Sequence, residues 1–290
     1  MVKDLRDKTG AGMMDCKSAL AETNGDMDQA IDWLRKKGLS KAAKKAGRVA
    51  AEGLVGVALG TGTGALVEVN AETDFVARND QFKDFVKSAA QLGLEADGDV
   101  EKLLNKKMGN NDTVDATLKE LVAKIGENMS VRRATALAVN PGVVASYVHN
   151  ASGPELGKIG VLVALKSSGN TDKLMALGKQ IAMHIAAANP LALTSAHLSK
   201  EVIEHERSIQ ADIARQSGKP ENVIEKMLEG RMRKFYEESV LMNQVFVIDG
   251  ETPVAKVVEK VSKEIGAPIE VEGFVRYQVG EGIEKVTTDF

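Results

Sequence analysis

Few side chains in this sequence are spaced for covalent chemistry. The four histidines, His149, His184, His197 and His205, show no metal-ligand spacing, and Cys16 is the only cysteine, so no second thiolate can join them. His184 lies in an apolar helical run and reads as a tolerated helix residue rather than a ligand. Asp26-Met27-Asp28 follows a glycine as in a calcium loop, but the remaining ligand positions are missing and Asp26 reads as a helix cap. No P-loop, nucleophile elbow or His-Glu-x-x-His stretch is present. The glycine-rich residues 60–64, Gly-Thr-Gly-Thr-Gly, lack dinucleotide-site spacing and lead into a β-branched run where such a site needs a helix. They read as a hairpin turn. No catalytic residue, metal ligand or cofactor of the chain's own follows from these residues, which describe an interaction protein rather than an enzyme.

The most informative stretch is Glu72-Thr73-Asp74-Phe75-Val76. It lies where a buried strand, residues 65–69, gives way to a helix carrying Phe82, Phe85 and Val86. Connections run over the surface, and this sequence has only seven Phe, one Trp and three Tyr in 290 residues, so a ring on a loop is unusual here. Two readings stand side by side. In one, Thr73 or Asp74 caps the helix and Phe75 staples it from outside. In the other, the segment is a short wedge aimed at a partner protein.

Length and composition frame the elements that must hold this segment. A chain of 290 residues suggests two or three domains, and 43% hydrophobic with 27% charged residues is ordinary for a folded protein. The net charge of −3 argues against a dedicated nucleic-acid binder. A single cysteine fits a reducing compartment. The N-terminus alternates charged and apolar residues, unlike a signal peptide, and no run approaches the ~18 apolar residues of a membrane span. A cytoplasmic location is expected.

Residues 2–8, 13–23 and 26–38 predict three helices, ended by Gly10, Asn24-Gly25 and Gly38. So small a module holds little core of its own and should dock on something else. Residues 35–48 carry seven basic and no acidic side chains, a pattern that favours a solvated helix face over RNA contact. The runs 53–59 and 65–70 predict a hairpin, followed by helices that end with 114–125 and a stop at Gly126, then a strand at 131–139. The plan repeats: strands at 143–149 and 159–166, a helix at 172–188, a later helix ending at Gly266 and a strand at 270–279. Between them, Val202, Ile209 and Ile213, then Ile224, Leu228, Met232 and Phe235, fall on helix faces joined by Gly218-Lys219-Pro220. That predicts an inserted antiparallel helical hairpin, either packed on its own or acting as an arm towards a partner.

Several of these motifs together resemble the elongation factor Ts family of bacteria. They are the segment Thr9-Gly10-Ala11-Gly12-Met13-Met14-Asp15-Cys16-Lys17 followed by Ala19-Leu20, Lys44-Lys45-Ala46-Gly47, Thr73-Asp74-Phe75-Val76, and Lys124-Ile125-Gly126-Glu127-Asn128. Ser217-Gly218-Lys219-Pro220 and Val279-Gly280-Glu281-Gly282-Ile283-Glu284-Lys285 complete the set, in the family's order. The resemblance implies an α+β fold. Its parts are an N-terminal three-helix, UBA-like module, a core of two related small antiparallel-sheet subdomains with helices, and the inserted hairpin. The expected segments are residues 1–50, 51–140, 141–195, 196–240 for the hairpin and 241–290.

The resemblance also implies a function: guanine-nucleotide exchange on the GTPase elongation factor Tu, without covalent chemistry, with that protein as partner and no direct role for nucleic acid or membrane. Thr73, Asp74, Phe75 and Val76 would enter the GTPase domain on the magnesium side of its nucleotide. Asp74 and Phe75 would be the central exchange residues, with Phe75 pushing between two helices. Apart from the resemblance, the negative charge of Asp74 is expected to repel the phosphates and so unsettle them and their magnesium. Ile125 and Gly126 would support that contact, and Met13, Met14 and Lys17 would grip the GTPase domain from another side. Phe246, Val247 and Ile248 match a segment reaching the same region, with Ile248 where the family carries Met. His149 matches a residue that meets the distal domain of elongation factor Tu. The chain stops at Phe290, where some relatives carry a further short helical tail, which puts any contact made by that tail in doubt.

Overall fold

The computed structural model describes residues 1–109 and 111–285, so Phe290 lies outside the described residues. By their internal contacts these fall into two units. The first comprises Met1–Leu137, Val148–Gly160 and the residues from Tyr277; the second comprises Ala138–Tyr147 and Val161–Arg276.

In the first unit the two apolar runs around the glycine-rich turn pair as expected. Strands β1 (Glu52–Gly60) and β2 (Thr63–Ala71) are antiparallel, in register from Glu52 opposite Ala71 to Gly60 opposite Thr63. Strand β3 (Met129–Ala138) lies beside β2, and a two-residue strand β5 (Leu156–Gly157) pairs with the other edge of β1, giving the order β3-β2-β1-β5. Helices α5 (Asp80–Gly93), α6 (Val100–Asn105) and α7 (Val114–Ile125) supply the other half of the core. Phe82, Phe85 and Val86 of α5 pack with Leu54, Val67 and Val69 of the sheet and with Leu118 and Val122 of α7. Burying such side chains stabilises by roughly 1.5–3 kcal/mol each, which makes this cluster the main support of the loop that follows β2.

The N-terminal module consists of α1 (Val2–Thr9), α2 (Met13–Glu22) and α3 (Met27–Lys36), with α4 (Lys41–Lys45) behind it. Asp26 caps α3, its side chain accepting the Gln29 N–H at 2.9 Å. Leu5, Cys16, Ala19, Ala30 and Leu34 are fully buried together, so Cys16 is a packing residue whose thiol pKa burial raises. The small core is not left alone. Lys41 Nζ donates to the Ala123 carbonyl at the end of α7 (2.9 Å), and Arg35 and Lys8 lie 3.6 and 3.9 Å from Asp115 and Asp112. Part of the basic run expected to be a solvated face therefore ties the module to α7.

The second unit repeats the strand plan. Strands β4 (Gly142–His149), β6 (Ile159–Lys166) and β7 (Glu270–Gln278) lie in the order β4-β6-β7, as β1, β2 and β3 do. Helices α8 (Thr171–Ala188) and α11 (Val254–Ile265) occupy the places of the first unit's helices between strands, with Leu174, Leu177, Ile181 and Ile185 of α8 buried. Between α8 and α11 comes the hairpin of α9 (Lys200–Arg215) and α10 (Glu221–Ser239). Its seam differs from the expected one. Ile224 and Met232 of α10 are buried, but on α9 the buried residues are Ala211 and Ala214, while Val202, Ile209 and Ile213 are each 40% exposed. Small side chains admit a neighbouring helix more closely than branched ones, so the alanine row faces inward. Among the described residues no helix is long and apolar enough to cross a membrane.

Candidate functional site

Strand β2 ends at Ala71, and the chain returns to helix only through a short 3-10 turn, Val76–Arg78, before α5. Asn79 caps α5, its Oδ1 accepting the Phe82 N–H at 3.1 Å. Neither Thr73 nor Asp74 serves as that cap, and Phe75 is 80% exposed. The capping-and-stapling reading of this segment therefore fails. Val76 and Ala77 are buried, which anchors the far end of the loop directly behind the exposed ring.

The loop is clamped from the segment that follows α7. Gly126 ends that helix in the left-handed conformation (φ 91), a geometry that glycine adopts without strain. The turn presents Glu127 and Asn128 to the loop. The Glu127 carboxylate accepts both the Thr73 N–H (3.0 Å) and the Thr73 hydroxyl (2.7 Å). In return Glu72 Oε1 accepts the Asn128 N–H at 2.7 Å, and Arg48 lies 3.6 Å from the same carboxylate. Ile125 is half-buried against the core and holds the turn in place. Two segments thus exchange carboxylates, each accepting from the backbone of the other.

Asp74 faces a different direction. Lys158, just past β5, donates to Asp74 Oδ1 at 2.5 Å and to the Gly53 carbonyl at 2.9 Å. Gly53 has φ 127, and a Cβ there would lie 2.1 Å from the Val69 carbonyl oxygen, so only glycine places that acceptor. Arg78 lies 3.7 Å from Asp74 Oδ2. The Lys158 hydrogen bond, helped by the charges of Lys158 and Arg78, holds the Asp74 carboxyl below its ordinary pKa, so it is ionised at neutral pH.

The other expected site residues are distributed over both units. Met13 and Met14, at the start of α2, are 51% and 69% exposed, and Lys17 is exposed one turn later. His149 closes β4 and is exposed. Within the second unit, Val247 and Ile248 are 45% and 46% exposed, but Phe246 is buried with its ring 5.9 Å from that of His184. His184 itself is fully buried. Its Nδ1 accepts the Val247 N–H at 3.1 Å, so its Nε2 carries the proton and donates to Gln244 Oε1 at 2.8 Å. Gln244 passes a hydrogen bond on to the Glu238 carbonyl at 2.8 Å. Burial lowers the His184 pKa, opposed by the bond to Gln244, and the imidazole is neutral. It serves as the fixed post from which the Val247–Ile248 turn projects. Among the described residues, no group of three His, Cys, Asp or Glu side chains could hold a metal ion.

The exposed ring on its clamped loop lies within residues 72–281, which match the family model described as elongation factor TS. Three relatives called elongation factor Ts match the full length of this chain. Those of Rhodospirillum centenum and Rhodospirillum rubrum are each 60% identical, over 95% and 94% of their own lengths. That of Brucella anthropi is 56% identical over 95% of its length. The chain belongs to the elongation factor Ts family. It is thereby a member of a family of translation elongation factors.

The sequence discloses the residues that form the loop more readily than those that hold it. Glu127 and Asn128 stand in the quoted motif around Ile125 and Gly126, and an acidic residue just past a glycine helix stop was a usable signal. Lys158 had none. It is 84 positions from Asp74 and belongs to no motif.

Proposed function

We propose that this chain is a guanine-nucleotide exchange factor for elongation factor Tu: it binds the GDP-loaded GTPase, promotes GDP release and so allows GTP loading during elongation. The observation that carries this reading is the 80% exposed Phe75 ring on a loop whose neighbours are all tied down. A ring held in water by a rigid support is organised for insertion into another protein and does little for its own fold. Burying a Phe removes about 150–250 Å² from water, which at about 25 cal/mol per Å² amounts to about 4–6 kcal/mol before ordering costs. Each 1.4 kcal/mol directed only at the nucleotide-free geometry of the GTPase weakens GDP about tenfold.

The ionised Asp74 beside the ring brings negative charge towards the phosphates of the nucleotide, which opposes their retention, and offers a carboxylate that competes with them for magnesium. Val76 anchors the wedge and Thr73 locks its entry, while Ile125 and Gly126 set the turn that supplies Glu127. Met13 and Met14 offer a flexible apolar surface suited to an adaptable grip, with Lys17 as an adjacent charge. Val247 and Ile248 form a separate apolar contact for which Phe246 is the buried anchor, and His149 meets a distal domain of the GTPase. The factor acts in the cytoplasm, where translation takes place, with no cofactor and no covalent step. The test is the release of labelled GDP from purified elongation factor Tu. Acceleration at substoichiometric amounts of this chain supports the reading; release at the spontaneous rate ends it.

A further inference from the structure

We propose that Lys158 is the positioning residue of the exchange loop, fixing the Asp74 carboxylate beside Phe75 so that both enter the GTPase in one orientation. The proposal rests on the exchange reading given above and assigns a role that no motif carries.

The backbone of Lys158 is held from two sides within the first unit. Its N–H donates to the His149 carbonyl (3.1 Å), and its own carbonyl accepts the Val279 N–H (2.9 Å). The preceding Leu156 and Gly157 pair with Gly56 and Val55 on the edge of β1. The ammonium therefore starts from a fixed base. It is 28% exposed, and two of its three protons go to Asp74 Oδ1 and the Gly53 carbonyl. Asp74 is 48% exposed on the other side of the pair. Water alone would satisfy such a carboxylate, and an ion pair this exposed contributes little to stability. What the pair does supply is direction. Asp74 would otherwise rotate through staggered positions about χ1, whereas Lys158 selects one and leaves Oδ2 outward near Arg78, which is 77% exposed. Thr73 is fixed through Glu127 on one side and Asp74 through Lys158 on the other, so the Phe75 backbone follows immediately after two tethered residues. Holding reacting groups in their productive geometry before encounter removes an ordering cost at the moment of binding.

The test measures GDP release from elongation factor Tu with wild-type chain, Lys158→Met, Lys158→Arg, Asp74→Asn, Phe75→Ala and the Lys158→Met/Asp74→Asn double variant, together with each melting temperature. Lys158→Met is expected to lower the maximal release rate about tenfold, as for loss of a hydrogen bond to a charged group, with its melting temperature unchanged. Arginine, which still reaches a carboxylate, should restore most of the rate. The double variant should be no slower than the slower single variant, because both changes remove one interaction. A purely structural role for Lys158 predicts instead a lowered melting temperature and multiplying losses. If wild type accelerates release and Phe75→Ala does not, normal exchange by Lys158→Met, or losses that multiply, overturns this proposal alone. If wild type fails to accelerate release, the exchange reading falls and this proposal with it.

Discussion

The Thr73 N–H and the Thr73 hydroxyl both end on the carboxylate of Glu127, 54 positions later in the chain. The pair joins the exit of β2 to the exit of α7, two elements already locked together in one core, and so passes the rigidity of that core to the loop. Removing it should loosen the loop without unfolding the unit. Glu127→Ala leaves Thr73 accessible to water, so the loss appears as disorder rather than as a buried unpaired donor. We expect GDP release from elongation factor Tu to slow about tenfold while the melting temperature moves by less than about 3 °C. Hydrogen exchange at residues 72–76 should quicken in the same variant. Unchanged protection of these amides would show that the carboxylate does not hold the loop.

Phe75→Ala separates fold from function more sharply. The ring is 80% exposed, and changes at exposed positions away from caps and networks usually stay within about 0.5 kcal/mol. Stability in urea should therefore match wild type, and exchange activity should largely disappear. A variant that exchanges normally at unchanged stability would remove the wedge from the mechanism.

Which parts of this site the sequence disclosed follows from the range of the interactions involved. The β1–β2 hairpin and the repeated strand plan were visible because apolar period and turn residues are local signals. Phe75 stood out because a rare aromatic followed a strand with no apolar period to place it in a core. Lys158 escapes because its meaning lies in a partner far along the chain, and a lysine at such a position looks like ordinary surface. His184 looked like a tolerated helix residue, yet both of its ring nitrogens are engaged by the segment from Gln244 to Val247, which no spacing on α8 reveals. On α9 the buried alanines were masked by larger apolar residues that in fact face outward.

His184 makes stability depend on pH in a defined direction. Its folded pKa lies below the ordinary 6.5 because burial disfavours the imidazolium. As pH falls through about 6.5 the unfolded chain takes up a proton that the folded chain refuses, so stability declines from there down to the folded pKa and levels off below it. Protonation would also place an N–H against the Val247 N–H. Urea unfolding across pH 7.5 to 5 should show this decline in wild type, at up to about 1.4 kcal/mol per pH unit from this one group. His184→Gln should be less stable at pH 7.5 and should lack that part of the slope. An identical slope in the variant would assign the pH dependence to other groups.

Linkage supplies the most general test. If this chain lowers the affinity of elongation factor Tu for GDP, then GDP must lower the affinity of elongation factor Tu for this chain by the same factor. Nucleotide-free elongation factor Tu should bind tightly, and saturating GDP with magnesium should dissociate the complex. Omitting magnesium should weaken that dissociation, since the ion is part of what Asp74 and Phe75 are proposed to disturb. For Lys158→Met, if the lysine acts by orienting Asp74, the coupling between the two ligands should shrink while the magnesium dependence keeps its sign. Titration calorimetry with and without GDP measures both arms of the cycle for each protein. Equal affinity of wild type for the GDP-bound and empty GTPase would leave no differential binding to drive release, and exchange catalysis by this loop would be ruled out.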